Sequence, residues 1–457
     1  MKKQIIFMIC ATALLSGCHI YKSYERPQVK TAGIYRDTAS INNIQASDTT
    51  NMGNLPWKEI FRDPKLQTLI KQGLSHNVDL QTAMLRVEET KASLLAAKLA
   101  FAPSLAFSPQ GTIARFDGVT ADTYSLPVTA SWQVDLFGSL LNAKREAKAT
   151  LLQSEAYRQA VQTQVIANIS NCYYTLLMLD KQLAITEKTA KIWGENVLTM
   201  KAMKKAGMTN EAGVSQSEAT YYQINATLPD LRRQIRETEN TLSLLLGEGP
   251  QQIQRSTLAD QQMPEKLSTG IPVQMLSNRP DVKQAEMNLA STYYSTNQAR
   301  SAFYPQITLS GSAGWTNSAG AVIVNPGKFL ATVVGSLTQP LFYRGTNIAR
   351  LKIAKAQQQE ALLAFQQKIL VAGTEVSNAL YKYQTAGEKC IQREQQILSL
   401  NNSVVNTQQL MKLGSSTYLE VLTAQQSLLS AQLSDVQDNF ERIQAVISLY
   451  QALGGGR

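Results

Sequence analysis

The sequence predicts a mainly α-helical protein with a β part, built from one helix–strand–strand–long helix–helix unit used twice. Two proline-free stretches of equal length, residues 138–207 and 345–414, are each bounded by glycines. Each follows a segment of alternating character that ends in Leu-Phe, at Leu136-Phe137 and Leu341-Phe342. The two halves also match at nearly constant spacing. Asp79, Ala83, Phe101 and Pro103 reappear as Asp281, Ala285, Phe303 and Pro305. Asn142 and Arg145 reappear as Asn347 and Arg350, and Leu246-Gly247 as Leu453-Gly454. Two copies fall short of a solenoid, which needs at least three repeats. As one helix, each proline-free stretch would be roughly 100 Å long at 1.5 Å per residue. Such rods are made to span a distance.

The first residues predict secretion. Lys2-Lys3 are followed by an apolar core over residues 5–15, too short to span a bilayer, and then by Leu15-Ser16-Gly17-Cys18. This reads as a signal peptide over residues 1–17. Its ending resembles a bacterial lipobox, in which cleavage precedes the cysteine and the cysteine is acylated, so Cys18 is the expected lipid attachment site. Past Cys18 only Cys172 and Cys390 remain, one in each long stretch. In parallel register they would differ in height by roughly 16 Å, whereas a disulfide needs Cα atoms within about 7 Å. Two free thiols are expected.

Composition excludes more than it selects. The formal charge is +10, but Lys and Arg are scattered among Glu and Gln, with doublets only, such as Lys204-Lys205 and Arg232-Arg233. That is the pattern of solvated helix faces and not of a phosphate-binding patch, so no nucleic-acid partner is expected. The two histidines, His19 and His76, have no clustered partners, and no nucleophile–base pair, phosphate loop or metal-ligand motif is present. No enzyme, cofactor or metal site is expected. Met200, Met203, Met208 and Met411 read as scattered near the helix tips, which leaves metal export a minority reading.

Residues 77–247 form the first repeat. A helix runs over about 78–101 and stops before Pro103, since the residue before proline disfavours the α conformation. A hairpin follows over about 104–136. Tyr124, Leu126, Val128, Ala130, Trp132, Val134 and Leu136 alternate with Ser125, Pro127, Thr129, Ser131, Gln133 and Asp135, the period of a half-buried strand. Asp117-Gly118 supplies the turn. Long helices over about 138–206 and 212–246 carry apolar residues at steps of three and four, as Ile169, Cys172, Leu176, Leu179 and Leu183 do. Sustained steps of that kind mean helices packed along their length. Gly207 offers the left-handed residue a helix end favours. Residues 248–278 connect to the second repeat, 279–457. Its hairpin covers about 306–341, with a turn read at Asn325-Pro326-Gly327, and its long helices about 345–413 and 418–453.

Four strands, each with one apolar face, on a secreted and lipid-anchored chain suggest a membrane sheet. Trp132, Trp315, Tyr124 and Phe107 lie among them, as interfacial aromatics do in outer-membrane barrels. A bilayer tolerates no open sheet edge, and the smallest barrels have about eight strands. Such strands require further copies of the chain.

Several motifs resemble those of the outer-membrane efflux family, the TolC-type channels, and of its lipoprotein branch. They are Phe61-Arg62-Asp63-Pro64-Lys65-Leu66 after Trp57, Arg279-Pro280-Asp281-Val282 with Ala285-Glu286, Ala302-Phe303-Tyr304-Pro305-Gln306-Ile307, Asp135-Leu136-Phe137-Gly138, and Leu244-Leu245-Leu246-Gly247. The resemblance covers nearly the whole mature chain. It implies a homotrimer with a twelve-stranded outer-membrane β-barrel continued by a periplasmic α-helical barrel. Residues 18–76 and 248–278 then belong to an equatorial region, the former behind the lipid anchor. It also implies a passive exit duct in a Gram-negative outer membrane, serving a periplasmic membrane-fusion adaptor and an inner-membrane transporter of the resistance-nodulation-division type.

The same resemblance points to the helix turns. Family members often carry acids where the tunnel narrows, which makes Glu211, Ser416 and Glu420 aperture candidates, although Ser416 stands where relatives often have Asp. Lys205, Gly207, Thr209 and Asn210 in the first turn, and Lys412, Gly414, Ser415 and Thr417 in the second, are the expected adaptor contacts. Two alternatives stay open: the exit channel of a type I protein secretion system, and a periplasmic structural coiled-coil lipoprotein.

Overall fold

The computed structural model describes residues 21–29, 52–261, 278–319 and 322–456. Cys18 and the signal peptide lie outside them. Helices α1 (Trp57–Ile60), α2 (Pro64–His76) and α3 (Val78–Leu99) lead to strands β1 (Ser104–Phe107), β2 (Gln110–Phe116) and β3 (Val119–Val134). Helices α4 (Ser139–Lys205) and α5 (Glu211–Leu245) complete the first repeat. The second consists of α6 (Pro280–Ser301), β4 (Gln306–Ala319), β5 (Val322–Thr338), α7 (Thr346–Lys412) and α8 (Tyr418–Ala452). Corresponding helices have identical lengths: 67 residues for α4 and α7, 35 for α5 and α8, and 22 for α3 and α6.

The chain divides into two compact units, and neither is a repeat. One combines residues 21–29 with Leu85–Glu155 and Gln284–Gln367; the other combines residues 52–84 with Ala156–Lys283 and Lys368–Arg457. Each unit takes material from both repeats.

The first unit holds the sheet, in the order β1-β3-β4-β5, with β2 also on β3. All pairings are antiparallel. Register sorts the side chains by face. Leu105 pairs with Ala130, Leu126 with Trp315, Trp132 with Leu309, Trp315 with Phe329, and Gly311 with Val333. Because strand side chains alternate, these residues share one apolar face. The opposite face carries the matched sets Ser131, Ser310 and Gln133, Thr308, Ser336. Apolar residues on the first face are open to solvent in the single chain, with Leu126 43% and Val333 86% exposed.

Three details depart from the sequence reading. The strand expected over 104–116 is broken at Ser108-Pro109 into β1 and β2, which lie end to end along β3. Pro109 has no N–H to give the ladder, and the Ser108 N–H donates to the Pro127 carbonyl at 3.2 Å across the break. Asn325-Pro326-Gly327 is no turn: it lies inside β5, and the hairpin reverses between Ala319 and Val322. Gly327 serves close approach instead. Its N–H donates to the Tyr124 hydroxyl at 2.9 Å, and a Cβ there would come within 2.5 Å of that oxygen. β5 ends at Thr338, short of the expected 341, just before Pro340.

The N-terminal residues are tied into this unit. Arg26 grips the buried Glu286 through two hydrogen bonds of 2.7 Å, and the Tyr24 N–H donates to the Tyr294 hydroxyl at 3.2 Å. Glu286 of the Ala285-Glu286 motif thus holds the segment that follows Cys18.

In the second unit the helix pairs bury apolar side chains that include Phe61, Leu66, Ile70, Ile169, Tyr173 and Trp193. Asp63 caps α2 by accepting from the Lys65 N–H at 2.9 Å, and it also takes the Tyr173 hydroxyl at 2.6 Å. Burial pushes its carboxyl up, but the Tyr173, Gln261 and Lys65 donors outweigh that and hold its pKa below the usual value.

The return helices α5 and α8 end in matched joints. Gly247 and Gly454 adopt positive φ and close helix-ending turns, Glu248 N–H to Ser243 carbonyl and Gly455 N–H to Tyr450 carbonyl, both 3.0 Å. Asn77 donates to the Leu245 carbonyl at 3.0 Å in the first joint, and Arg279 to the Ala452 carbonyl at 2.9 Å in the second. Arg279 also forks onto Asp281 at 2.7 and 2.9 Å and reaches Glu375 at 2.6 Å. Burial raises the Asp281 pKa, but Arg279 and Lys368 outweigh it and leave it depressed.

Candidate functional site

The expected site residues lie at the two turns between long helices, both in the second unit. α4 and α7 stop in the same geometry. The Met208 N–H reaches back to the Met203 carbonyl at 2.9 Å and the Gly207 N–H to Lys204 at 3.0 Å; Ser415 and Gly414 repeat this with Leu410 and Met411 at 2.9 and 3.0 Å. This six-to-one and five-to-two pattern requires a left-handed residue between, and Gly207 and Gly414 have φ of +74° and +75°. A Cβ at either would meet nothing within 4 Å. Glycine is there for its backbone alone.

Beyond the glycines the turns differ. In the first, the Asn210 side chain accepts from the Gly213 N–H at 3.0 Å and caps α5. Glu211, in the first helical turn, is exposed and ion-paired with Lys204. In the second, Thr417 occupies the cap position without making a side-chain cap bond. Its hydroxyl donates to Glu420 at 3.3 Å, and Ser416 also donates to Glu420. Ser416 and Glu420 therefore sit together, while Glu211 belongs to the other turn. Lys205, Gly207, Asn210, Lys412, Gly414, Ser415 and Thr417 are exposed and Thr209 is half-buried.

Three features here escaped the sequence reading. Met200, Met203, Met208 and Met411 are not scattered: all four line one cavity of about 760 Å³, with Tyr418, Asn210 and Leu422. Met200 is buried in a cluster with Trp193, Tyr418 and Leu422, against which Met203 and Met411 pack. The signal was present in the three-residue step from Met200 to Met203, and in the Met203–Met208 pair that bridges the helix-ending turn. Second, a cavity of about 770 Å³ lies among α4, α7 and α8, lined by Lys181, Lys188, Trp193, Asn401, Gln425 and Asp435. Burial, with Asp438 and Glu394 nearby, raises the Asp435 pKa. Third, Asp438 is almost fully buried and paired with Lys389 at 2.8 Å and Arg393 at 3.0 Å.

Cys172 and Cys390 are both free, and burial pushes each thiol up, away from reactive thiolate. Among the described residues no group of three His, Cys, Asp or Glu could hold a metal ion.

The sequence profile described as "Outer membrane efflux protein" matches residues 69–248 and 271–455. The chain belongs to the outer membrane efflux protein family. The two matched spans fall on the two repeats. The chain is 28% identical to the cation efflux system protein CusC of Escherichia coli O6:H1, over 98% of this chain and 97% of that protein. It is 26% identical to SilC of Salmonella typhimurium, named a probable outer membrane lipoprotein, over 100% of this chain and 99% of that one. Among solved structures, the outer membrane channel MtrE of Neisseria gonorrhoeae in its open state superposes with a TM-score of 0.86 at 27% identity, covering 96% of this chain and 98% of that chain. The protein is an outer-membrane exit channel of an efflux system, with a β part and a helical barrel. Its relatives are efflux channels and not known enzymes.

Proposed function

We propose that three copies of this chain form the passive, non-enzymatic exit duct of a tripartite pump. A periplasmic membrane-fusion adaptor and an inner-membrane transporter of the resistance-nodulation-division type would complete it. The observation that carries this reading is the sheet. It has one continuous apolar face, a second face rich in Ser and Thr that Leu330 and Val334 interrupt on β5, and end strands at β1–β2 and β5. An open edge cannot persist in a bilayer. With β1 and β2 end to end, each chain supplies four ribbons. Two copies would reach the smallest barrels of about eight strands, and the family's architecture favours three.

In this reading acylated Cys18 anchors the N-terminus in the outer membrane, and the Arg26–Glu286 fork keeps the following segment beside α6. The exposed turn residues around Gly207 and Gly414 would meet the adaptor. Glu211 and Glu420 would supply negative charge at the aperture, with Ser416 orienting Glu420. The names of the relatives cover cations, toluene, solvents and antibiotics and so do not select a cargo. Native mass spectrometry of the detergent-extracted full chain, with its conductance in planar bilayers, tests the duct. A trimer that conducts is expected; a monomer or a non-conducting particle refutes it. Type I secretion remains the second reading, and a deletion strain with unchanged drug and metal tolerance but lost protein export would favour it.

A further inference from the structure

We propose that the methionine-lined cavity at the helix turns is a transit site for a soft monovalent metal ion, Cu(I) or Ag(I). It deepens the duct reading by naming a cargo class, and it rests on that reading only for its role in export. The cavity draws Met200 and Met203 from the last turns of α4, Met208 from the first turn sequence, and Met411 from the last turn of α7.

The backbone places these side chains together. Met200 and Met203 are three residues apart and share a helix face. Met203 and Met208 are joined by the 2.9 Å hydrogen bond of the helix-ending turn, whose outer residues bring their side chains into contact. Met411 approaches from the other helix pair and packs against the same core cluster. The four also form a gradient of access: Met208 is 71% exposed, Met203 and Met411 are half-buried, and Met200 is 3% exposed.

The donor set decides the ion. Thioethers are soft and neutral, and they select Cu(I) over hard cations. Beside the thioethers the lining offers neutral oxygens such as those of Asn210 and Gln216 but no carboxylate, histidine or thiol, the anionic or imidazole ligands on which zinc, calcium and magnesium sites are built. A neutral site also suits transit, because no fixed negative charge adds to the barrier against release. Unbranched methionine side chains in a cavity of about 760 Å³ can swing to meet an ion. A shared ion would join the first turn to the second, since Met411 and Met203 belong to different helix pairs.

The test uses Ag(I) and the detergent-solubilised full chain with Cys172→Ala and Cys390→Ala, which removes the competing thiols. Titration is followed by calorimetry and by the methionine methyl resonances. One ion per chain is expected, with the methyl signals of Met200, Met203, Met208 and Met411 shifting together. In Met203→Leu/Met208→Leu/Met411→Leu, whose side chains keep their volume, the dissociation constant should rise at least about 100-fold. Unchanged affinity in that variant, or shifts confined to other methionines, overturns the proposal. In cells, the triple variant should lose tolerance to Ag(I) and keep its tolerance to organic compounds. Silver tolerance that survives the triple variant overturns the transit role. A chain that binds Ag(I) as expected but confers no tolerance to anything overturns the duct reading and leaves the site standing.

Discussion

The joints that close the two repeats solve one geometric problem with different chemistry. Each presses a helix-ending glycine against the backbone just before the first helix of the same repeat, α3 or α6: a Cβ on Gly247 would lie 2.7 Å from the His76 carbonyl oxygen, and one on Gly454 2.5 Å from that of Asn278. Each ties off the last turn with a side chain from the matched position, Asn77 or Arg279. In the first joint that side chain is a neutral amide, and the nearby Asp79 is exposed. In the second it is a buried guanidinium shared by Asp281, Glu375 and a backbone carbonyl. Duplication has kept the backbone path while the polar bond at its centre became neutral in one copy and ionic in the other. An ionic centre is costly to break and sensitive to acid. A neutral one costs less to break and does not respond to acid.

The strongest way to break this comparison is Arg279→Ala. It leaves the Ala452 carbonyl without its donor and Asp281 with Lys368 alone, and losing one partner of a buried pair costs about 3–5 kcal/mol. Asn77→Ala leaves one carbonyl and one N–H without their partner and should cost about 1–3 kcal/mol. Denaturant unfolding of the two variants measures both; equal losses would erase the distinction. Next in size is a glycine contrast. Gly454→Ala adds a collision with Asn278 to the left-handed penalty, whereas Gly414→Ala pays only that penalty, about 1–2 kcal/mol. The difference in midpoint between them isolates the close approach. A smaller effect is acid sensitivity. The Asp281 pKa is depressed by Arg279 and Lys368, so its contribution is fully present above about pH 4 and is lost as pH falls through the depressed value. Wild-type stability should therefore fall more between pH 5 and 3 than that of Asp281→Asn. The smallest effect on stability, but the most telling for transport, is Glu211→Gln with Glu420→Gln. Folding should be unchanged while cation selectivity in planar bilayers falls. Unchanged selectivity removes both acids from the aperture.

The helices were legible because their signals are long. Proline-free spans, apolar steps of three and four, and the end glycines Gly207 and Gly414 all act within a few residues of where they are read. The apolar faces of the strands were legible for the same reason, since alternation is local. What was not legible depends on partners. Asn325-Pro326-Gly327 has turn chemistry, yet the Tyr124 hydroxyl on a strand from the other repeat draws Gly327 into β5. The Arg26–Glu286 fork joins residues 260 positions apart. At the turns, sequence located the exposed polar residues but not the methionine cavity, because Met411 reaches it from the second helix pair. The two compact units were hidden as well, as each is assembled from both repeats.

The ladder between β3 and β4 is the seam between the two copies: Ser125–Val134 of one hairpin against Ile307–Thr316 of the other. Secretion delivers the chain from its N-terminus, so time separates these partners. The first hairpin reaches the periplasm with one side of β3 bare and an apolar face uncovered, and it must wait for α4, α5 and α6 to pass before its neighbour arrives. For that interval the protein is a sticky half-sheet, and its safe passage falls to whatever escorts it rather than to its own fold.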